Sequence, residues 1–312
     1  MNKYKFFINP AFDPACPGGC LEGDDVYAWL QSKAAPMSDA LPGEKDFAAL
    51  SQRLLLEGAK DLLIWDDLLK AAEMTYFAEL TPLQGPSIDF CCGYGFWTGR
   101  ILGKIDLGVD LFPEDGPYRR TIEGFRDHDF IGGAYRSVLQ ADVTEELPVP
   151  DNFFQSVVSV CSLEHIERAD RVLATMARIV KPGGKVFLSL QTNRYIETFA
   201  KIFHPDYVGW VRENFCMHRD RAWRDWEELV LGAGFRITGR RFVLPTREAA
   251  LKALAYWEEP FAPVLGDLGL ERAVKEIPQF RAHYYDLVRR WSAGLAAPDD
   301  ACIVCLTCEK KI

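Results

Sequence analysis

The sequence predicts an α/β fold with a parallel sheet, and three observations lead to that prediction. From residue 87 onward, short apolar runs typical of buried strands alternate with longer segments of helical periodicity, which is the pattern of a parallel sheet with crossover helices. A loop that contains two glycines, 91–95, lies where the first of these strands meets a helix. Asp110 ends the next strand, where a carboxylate can accept hydrogen bonds from a ribose diol.

Seven segments have the length and composition of strands. They are Ser87–Cys91, Asp106–Asp110, Ser137–Gln140, Gln155–Cys161, Lys185–Leu190, Phe235–Leu244 and Ala301–Thr307. Between the fourth and the fifth, apolar residues recur at helical spacing from Val172 to Val180, which predicts an amphipathic helix. The turn Lys181–Gly184 would end that helix, and a further helix is predicted at about Arg219–Leu231.

The chain divides into four segments. Residues 1–45 are rich in proline and glycine and predict an irregular extension. Residues 46–244 form the predicted core, which begins with leucine-rich helices. Residues 245–297 are a helical insert rich in aromatic side chains and too long for an ordinary connection, so we interpret it as a lid. Residues 298–312 contain the final strand.

The composition is that of a globular protein with an acidic surface. The chain has 312 residues, 48% of them hydrophobic and 26% charged, and its net charge is −9. That charge repels phosphate backbones, so we do not expect nucleic acid as a partner. No apolar run approaches the ~18 residues of a membrane span. Residues 1–23 lack the apolar stretch of a signal peptide, so the expected location is the cytoplasm.

The glycine loop is the central motif, and Asp89–Gly95 reads Asp-Phe-Cys-Cys-Gly-Tyr-Gly. Glycines at a strand-to-helix turn let a ligand approach the backbone, and the ligand then meets N–H groups at the start of the helix. The dinucleotide pattern Gly-x-Gly-x-x-Gly is not completed, because Thr98 occupies the third glycine position. The loop therefore argues against a nicotinamide oxidoreductase. The alternative to a ligand-binding loop is a tight turn that binds nothing.

With the elements that follow the loop, the chain resembles the class I S-adenosylmethionine-dependent methyltransferases, in particular the small-molecule subgroup often called type 11. The first motif of that family reads roughly Asp-x-Gly-Cys-Gly-x-Gly. The matching elements occur in the family's order at Asp89–Gly95, Gly108–Asp110, Ala141–Asp142, Leu147–Pro148, Ser162–Ile166, Lys181–Gly184 and Ala233–Phe235. Each motif is short, and the ordered set, over roughly residues 85–243, carries the resemblance.

The resemblance implies a Rossmann-like, seven-stranded, mostly parallel sheet with flanking helices. Its last strand would be antiparallel and lie between the fifth and the sixth. The implied cofactor is S-adenosylmethionine, at the carboxyl ends of the strands. Asp110 would hold the ribose and Asp142 the adenine amino group, while Cys161 would line the sulfonium side. The full set of expected cofactor residues is Asp89, Cys91, Gly93, Gly95, Trp97, Asp110, Leu111, Asp142, Val143, Cys161 and Ser162.

Two residues near the loop depart from the family pattern. Cys91 replaces the first glycine, so a side chain points towards the expected methionine part of the cofactor. Trp97 is unusually bulky. Its ring would either face the sulfonium, since an aromatic face attracts a cation, or pack in the core.

The catalytic candidates are two histidines. Methyl transfer from a sulfonium mainly needs alignment, and a hydroxyl nucleophile also needs a base. His165 follows the fourth strand, and His218 follows an aromatic-rich segment after the fifth. The alternative for His165 is a capping and packing role at the next helix, and for His218 it is a solvated or core position.

No metal site is predicted. Some members of the family hold a divalent metal beside the residue that matches His165, but Cys161 stands where they have a carboxylate. The spacing Cys302-x-x-Cys305-x-x-Cys308 resembles a metal motif. Alternation along a strand, however, would point Cys305 away from the other two.

The sequence therefore predicts methyl transfer from S-adenosylmethionine to a small or medium-sized acceptor, at oxygen or nitrogen. The alternative is a binding protein and not an enzyme. It would be a catalytically silent module that binds the cofactor or its product, S-adenosylhomocysteine. Cys91 and the lack of a convincing base favour that alternative.

Overall fold

The computed structural model gives most of the predicted core. It describes residues 5–8, 83–93, 105–111, 134–214, 219–247 and 296–311, together with residues 73, 76, 77, 80, 95, 98, 102, 103, 216, 217, 249, 250, 277–279, 282 and 283. Trp97 and His218 lie outside the described residues, as do nearly all of the extension 1–45 and most of the insert 245–297. The boundaries of those two segments stay predictions.

The described strands form one sheet of eight. In chain order they are β1 (Lys5–Ile8), β2 (Ser87–Phe90), β3 (Ile105–Asp110), β4 (Tyr135–Gln140), β5 (Phe154–Val160), β6 (Val180–Gln191), β7 (Phe235–Pro245) and β8 (Ala301–Lys310). Their order across the sheet is β1-β4-β3-β2-β5-β6-β8-β7. Strands β2 to β6 pair in parallel, and β8 is antiparallel to both of its neighbours.

Seven of these strands are the predicted ones, and they confirm the Rossmann-like fold with its antiparallel last strand between β6 and β7. The eighth, β1, corrects the prediction that residues 1–45 are irregular throughout. It pairs antiparallel with β4, with Lys5 opposite Gln140 and Ile8 opposite Ser137. Four residues carry little local signal, because a strand this short depends on the partner beside it.

The described helices lie between the strands. They are a 3₁₀ helix at Leu163–His165, α1 (Ala169–Ile179), α2 (Asn193–Ile202), α3 (Pro205–Asn214) and α4 (Trp223–Gly232). The first α-helix ends directly before the turn Lys181–Gly184, as predicted. That turn lies within β6, which begins at Val180 instead of the predicted Lys185, and the register with β5 shifts there. In the part of the chain that the structure describes, every helix is too short or too polar to cross a membrane.

The buried apolar side chains form two clusters, one on each face of the sheet. Cys305 belongs to the cluster beneath α2, and Cys308 belongs to the cluster beneath α1 and α4, as strand alternation predicts. The prediction was wrong for Cys302, which lies in the same cluster as Cys305, beside Thr198 of α2. Among the described residues, no three His, Cys, Asp or Glu side chains are placed to share a metal ion.

Candidate active site

The carboxyl ends of the parallel strands meet at one edge of the sheet, and the predicted cofactor residues follow these ends. The pairing of β3 with β4 sets Asp110 beside Gln140, and the pairing of β5 with β6 sets Val160 beside Ser189. The glycine loop follows β2 at the same edge, between β3 and β5. Ligands of open α/β sheets bind at this edge, so the topology brings the expected site together.

The glycine loop folds back onto the end of β3. The N–H of Cys92 donates to the carbonyl oxygen of Val109 at 3.1 Å, and the N–H of Gly93 donates to Oδ2 of Asp110 at 2.8 Å. The N–H of Gly95 closes the turn on the carbonyl oxygen of Cys92 at 3.0 Å. A carboxylate has about four lone-pair sites, so the bond from Gly93 is compatible with further bonds from a diol to Asp110.

The ring of Tyr135 explains why residue 95 is a glycine, and the sequence did not predict this reason. Sequence reasoning assigned the loop glycines to the close approach of a ligand. An ideal Cβ on Gly95 would lie 2.2 Å from Cε2 of Tyr135, and a Cβ on Gly108 would lie 3.1 Å from Cδ1 of the same ring. The ring is fully buried beneath the loop. Both glycines therefore leave room for a side chain of the protein itself.

Asp89 also has a partner within the protein. The hydroxyl of Tyr135 donates to Oδ2 of Asp89 at 2.6 Å, and both side chains are buried. Burial raises the pKa of the Tyr135 phenol well above its usual value, and the neighbouring Asp89 carboxylate raises it further. The phenol is therefore a permanent donor near neutral pH, and it holds the first acid of the motif below the loop.

Replacing Tyr135 with phenylalanine should lower the free energy of unfolding by about 2 kcal/mol, because the buried Asp89 loses a charge-assisted hydrogen bond. Ser137→Ala in the same strand removes a neutral bond, from Ser137 Oγ to the carbonyl oxygen of Asp106 at 2.9 Å, and should cost about 1 kcal/mol. Urea unfolding followed by circular dichroism measures both. Equal losses would show that the charge of Asp89 adds nothing to its bond.

Cys91 adopts a left-handed backbone conformation, with φ at 57°. Side chains rarely adopt this conformation and glycine does so readily, so the structure explains why the family has glycine here. Burial raises the pKa of the Cys91 thiol, and the carboxylates of Asp110, Asp89, Glu164 and Asp142 raise it further, in that order. A protonated thiol is a poor nucleophile. Cys91 thus contributes shape to the site, and its surroundings are electronegative.

Two of the predicted adenine-side residues are apolar, and they follow the ends of β3 and β4. Leu111 is 53% exposed, which is high for a leucine, and Val143 is buried. Asp142, which directly precedes Val143, is exposed. Its Oδ1 accepts bonds from the N–H and the hydroxyl of Thr144 at 2.8 and 2.7 Å. These bonds fix the Asp142 carboxylate, so the ends of β3 and β4 carry an exposed leucine and an oriented acceptor.

The residues after β5 form the other side of the site. The backbone of Cys161 is left-handed, with φ at 48°, and its N–H bonds the carbonyl oxygen and the hydroxyl of Ser189 at 3.1 and 2.9 Å. The hydroxyl of Ser162 donates to the carbonyl oxygen of Val160 at 2.8 Å. His165 ends the 3₁₀ helix, partly buried, with its N–H on the carbonyl oxygen of Ser162 at 3.0 Å. One short turn thus carries three of the predicted residues.

Sequence reasoning missed the polar side chains that surround Cys161. The hydroxyl of Ser189 donates to Oε1 of Glu73 at 2.6 Å, and Glu73 is fully buried although it comes from the segment before the first core strand. Nε2 of Gln191 donates to Sγ of Cys161 at 3.2 Å. No local motif marks these residues, and only the position of Gln191 at a strand end was available as a signal.

An aromatic wall, formed by residues of α2, of α3 and of the link between them, follows the end of β6. The ring centroids of Tyr195, Phe199, Phe203, Tyr207 and Trp210 follow one another at 5.0, 5.6, 4.9 and 5.8 Å. Its first two members are buried in the apolar cluster that also contains Cys302, and Trp210 is exposed. This is the aromatic-rich segment after the fifth predicted strand, which the sequence analysis placed before His218.

The match to a known family agrees with this geometry. Residues 88–188 match the family model described as a methyltransferase domain. The matched range contains the glycine loop, Asp110, Asp142 and the turn Lys181–Gly184. This part of the chain therefore matches a methyltransferase domain, and the match confirms the resemblance to the class I S-adenosylmethionine-dependent methyltransferases.

The relatives in this family include ubiquinone/menaquinone biosynthesis C-methyltransferases. UbiE of Proteus mirabilis is 31% identical over 119 residues, which are 37% of this chain and 46% of that protein. UbiE of Chromobacterium violaceum is 35% identical over 134 residues, which are 35% and 50% of the two chains. The chain thus spans about half the length of the curated relatives it matches. A solved methyltransferase from Thermotoga maritima, a possible histamine N-methyltransferase, covers 85% of this chain and 100% of its own, at 15% identity and a TM-score of 0.49.

Proposed function

We propose that this chain transfers a methyl group from S-adenosylmethionine to a small or medium-sized acceptor. The observation that carries the proposal is the bond from the N–H of Gly93 to Asp110 at 2.8 Å. It joins the glycine loop to a carboxylate at the end of the next strand. In this proposal the loop binds the methionine part of the cofactor and Asp110 binds the ribose hydroxyls. Leu111, Asp142 and Val143 bind the adenine.

The charge at this edge of the sheet supports the proposal. When bound, S-adenosylmethionine supplies an electrophilic methyl group on a cationic sulfur. The carboxylates of Asp110, Asp89, Glu164 and Asp142 lie close enough to Cys91 to raise the pKa of its thiol. The same carboxylates stabilise a cationic ligand and repel the pyrophosphate of a dinucleotide. The site thus favours the adenosyl cofactor over NAD.

The acceptor would lie beyond the sulfonium, between Cys161, Ser162 and the aromatic wall. We propose oxygen or nitrogen as the methylated atom, with His165 as the base, because it lies one short turn after Ser162. His218, from the sequence alone, is the second candidate base. Carbon is a second candidate for the methylated atom, because the relatives from Proteus mirabilis and Chromobacterium violaceum are C-methyltransferases.

The remaining parts of the proposal come from the sequence. An acceptor other than nucleic acid fits the net charge of −9. The cytoplasmic location and the role of residues 245–297 as a lid stay predictions. A silent module that binds the cofactor without turnover is the competing function, and the strained Cys91 in place of glycine supports it.

Thermal unfolding with S-adenosylmethionine, S-adenosylhomocysteine and NAD, added separately, tests the cofactor. A ligand at 100 times its Kd stabilises by about 2.7 kcal/mol, which is roughly 5–10 °C for a chain of this size. We expect that shift with both adenosyl ligands and none with NAD. A shift with NAD alone would contradict the proposal. Release of S-adenosylhomocysteine from S-adenosylmethionine in a small-molecule extract of the host would then separate an enzyme from a silent module.

A further inference from the structure

Two buried polar atoms near the end of β6 have no hydrogen-bond partner in the described part of the chain. They are Oε1 of Gln191 and Nη1 of Arg221. Each of these residues is only 9% exposed. A buried polar atom without a partner is costly and uncommon. Two such atoms in one neighbourhood therefore indicate a group that the protein is built to receive.

Trp226 holds both residues in that neighbourhood. Its indole N–H donates to the carbonyl oxygen of Gln191 at 2.7 Å, and the guanidinium of Arg221 lies over its ring, 4.6 Å from the centroid. The backbone of Arg221 is also tied to the strand end, since its carbonyl oxygen accepts a bond from the N–H of Asn193 at 2.7 Å. Trp226 itself is fully buried, so this arrangement is fixed by the core.

The neighbourhood borders the expected methyl-transfer site. The side chain of Gln191 donates through Nε2 to Sγ of Cys161 at 3.2 Å, and Cys161 was predicted on the sulfonium side. Oε1 of Gln191 is the other end of the same amide. The amide of Gln191 therefore links the expected methyl-transfer position to this neighbourhood, which Arg221 shares through Trp226.

The charge of Arg221 is poorly compensated. Burial lowers the pKa of its guanidinium, and the nearby Arg219 lowers it further, although Asp170 and Asp225 act in the opposite direction. Within the described residues, no carboxylate forms an ion pair with Arg221. A buried charge without a close counter-charge is unfavourable, and a planar guanidinium matches a carboxylate or a phosphate in geometry.

We propose that Arg221 and Gln191 form an acceptor-binding subsite, in which Arg221 binds an oxyanion, carboxylate or phosphate, and Oε1 of Gln191 accepts a bond from a hydroxyl, amine or amide. The acceptor is then an anionic molecule with a donor group near its charge. This inference rests on the proposed function, because it names the substrate class of the same site. In this proposal the protein has two regions of different charge preference. The acidic edge around Cys91 suits the cationic cofactor, and the subsite around Arg221 suits an anionic acceptor.

The test compares Arg221→Met with Arg224→Met. Arg224 is a matched control, since its guanidinium also lies over a tryptophan, Trp223, at 4.3 Å from the centroid, but its side chain is 67% exposed. Each protein is saturated with S-adenosylhomocysteine, and its melting temperature is followed against inorganic phosphate or acetate, with chloride at matched ionic strength. General salt effects act alike on both variants, so the difference between them reports the subsite.

We expect phosphate or acetate to raise the melting temperature of the native protein and of Arg224→Met more than chloride does. In Arg221→Met the half-saturating concentration should rise about tenfold or more, because a bond to a charged group is lost. The anion with the larger effect identifies the chemistry of the acceptor. Gln191→Glu, which adds a negative charge beside the bound anion, should weaken the same response while leaving Arg221 in place.

The outcomes separate this inference from the proposed function. An equal response of Arg221→Met and the native protein to the anions would overturn the subsite, and so would a native protein that responds to chloride alone. If S-adenosylhomocysteine fails to stabilise the native protein but the anion response depends on Arg221, the subsite stands and the proposed function fails. If Arg221→Met does not fold, the response of Gln191→Glu decides the question.

Discussion

Replacing Gly95 with alanine should lower the free energy of unfolding by about 3 kcal/mol or more. Two effects add at this position. The added Cβ would lie 2.2 Å from Cε2 of Tyr135, and overpacking of a rigid buried ring costs about 1–3 kcal/mol. The backbone of Gly95 also has φ at 69°, which costs a further ~1–2 kcal/mol for a residue with a side chain. Tyr135 cannot withdraw easily, because Gly108 lies against its other edge.

Gly183→Ala is the matched control for the backbone contribution. Gly183 has φ at 74°, close to that of Gly95, and an added Cβ there would meet no atom within 4 Å. We expect it to cost only ~1–2 kcal/mol. Urea unfolding of both variants gives the difference, which is the steric cost of the Tyr135 ring. If the two variants lost the same free energy, the ring would not be packed against the loop as the structure has it.

The same comparison bears on the meaning of the motif. Sequence reasoning treated Gly95 as a place where a ligand approaches the backbone. In the structure, the space beside Gly95 belongs to Tyr135, and Asp89 is bonded to the same residue. Part of the motif therefore packs against Tyr135 and stabilises the loop independently of any ligand. A glycine spacing alone cannot distinguish these roles, because both demand the absence of a Cβ.

The strands that position the site could be predicted because each is a short apolar run between turn residues. Strands β2 and β3 differ from their predicted bounds by one residue at one end. The predicted start of β6, Lys185, was less accurate, because the strand begins at Val180. The run Lys181–Gly184 contains proline and two glycines, which locally indicate a break, but pairing with β5 continues across it with a shift in register. Tertiary pairing thus overrides local preference there.

The site divides in the same way between what the sequence could and could not predict. Asp110 was accessible to prediction, because the end of a strand and the distance from Asp89 are both visible in the sequence. Glu73 was not, since it meets Ser189 across 116 positions of the chain. Arg221 meets the end of β6 through the ring of Trp226 and through the bond from the N–H of Asn193 to its carbonyl oxygen. Such contacts are set by the topology of the sheet and the packing of α4, which leave no local pattern.

Asp110→Ala should weaken the binding of S-adenosylhomocysteine about 100-fold or more. In the proposed site this carboxylate accepts two bonds from the ribose, and bonds to a charged acceptor contribute about 1.5–3 kcal/mol each. The variant also removes the acceptor for the N–H of Gly93, which loosens the loop. Asp206→Asn is the control for net charge, because its side chain is 93% exposed on α3, and it should leave the affinity unchanged. Isothermal titration calorimetry measures all three proteins.

A second ligand separates contact with the ribose from positioning of the loop. The native protein should bind the 2′-deoxyribose analogue of S-adenosylhomocysteine about tenfold or more weakly than the parent, because one bond to Asp110 is missing. Asp110→Ala should bind the two ligands equally, since the partner of the 2′-hydroxyl is gone, and the cycle of four affinities isolates that bond. If the analogue were penalised equally in both proteins, Asp110 would act only through Gly93. The ribose would then lie elsewhere along the edge, and the assignment of Leu111 and Asp142 to the adenine would fail with it, because all three residues lie at the ends of the two adjacent strands β3 and β4.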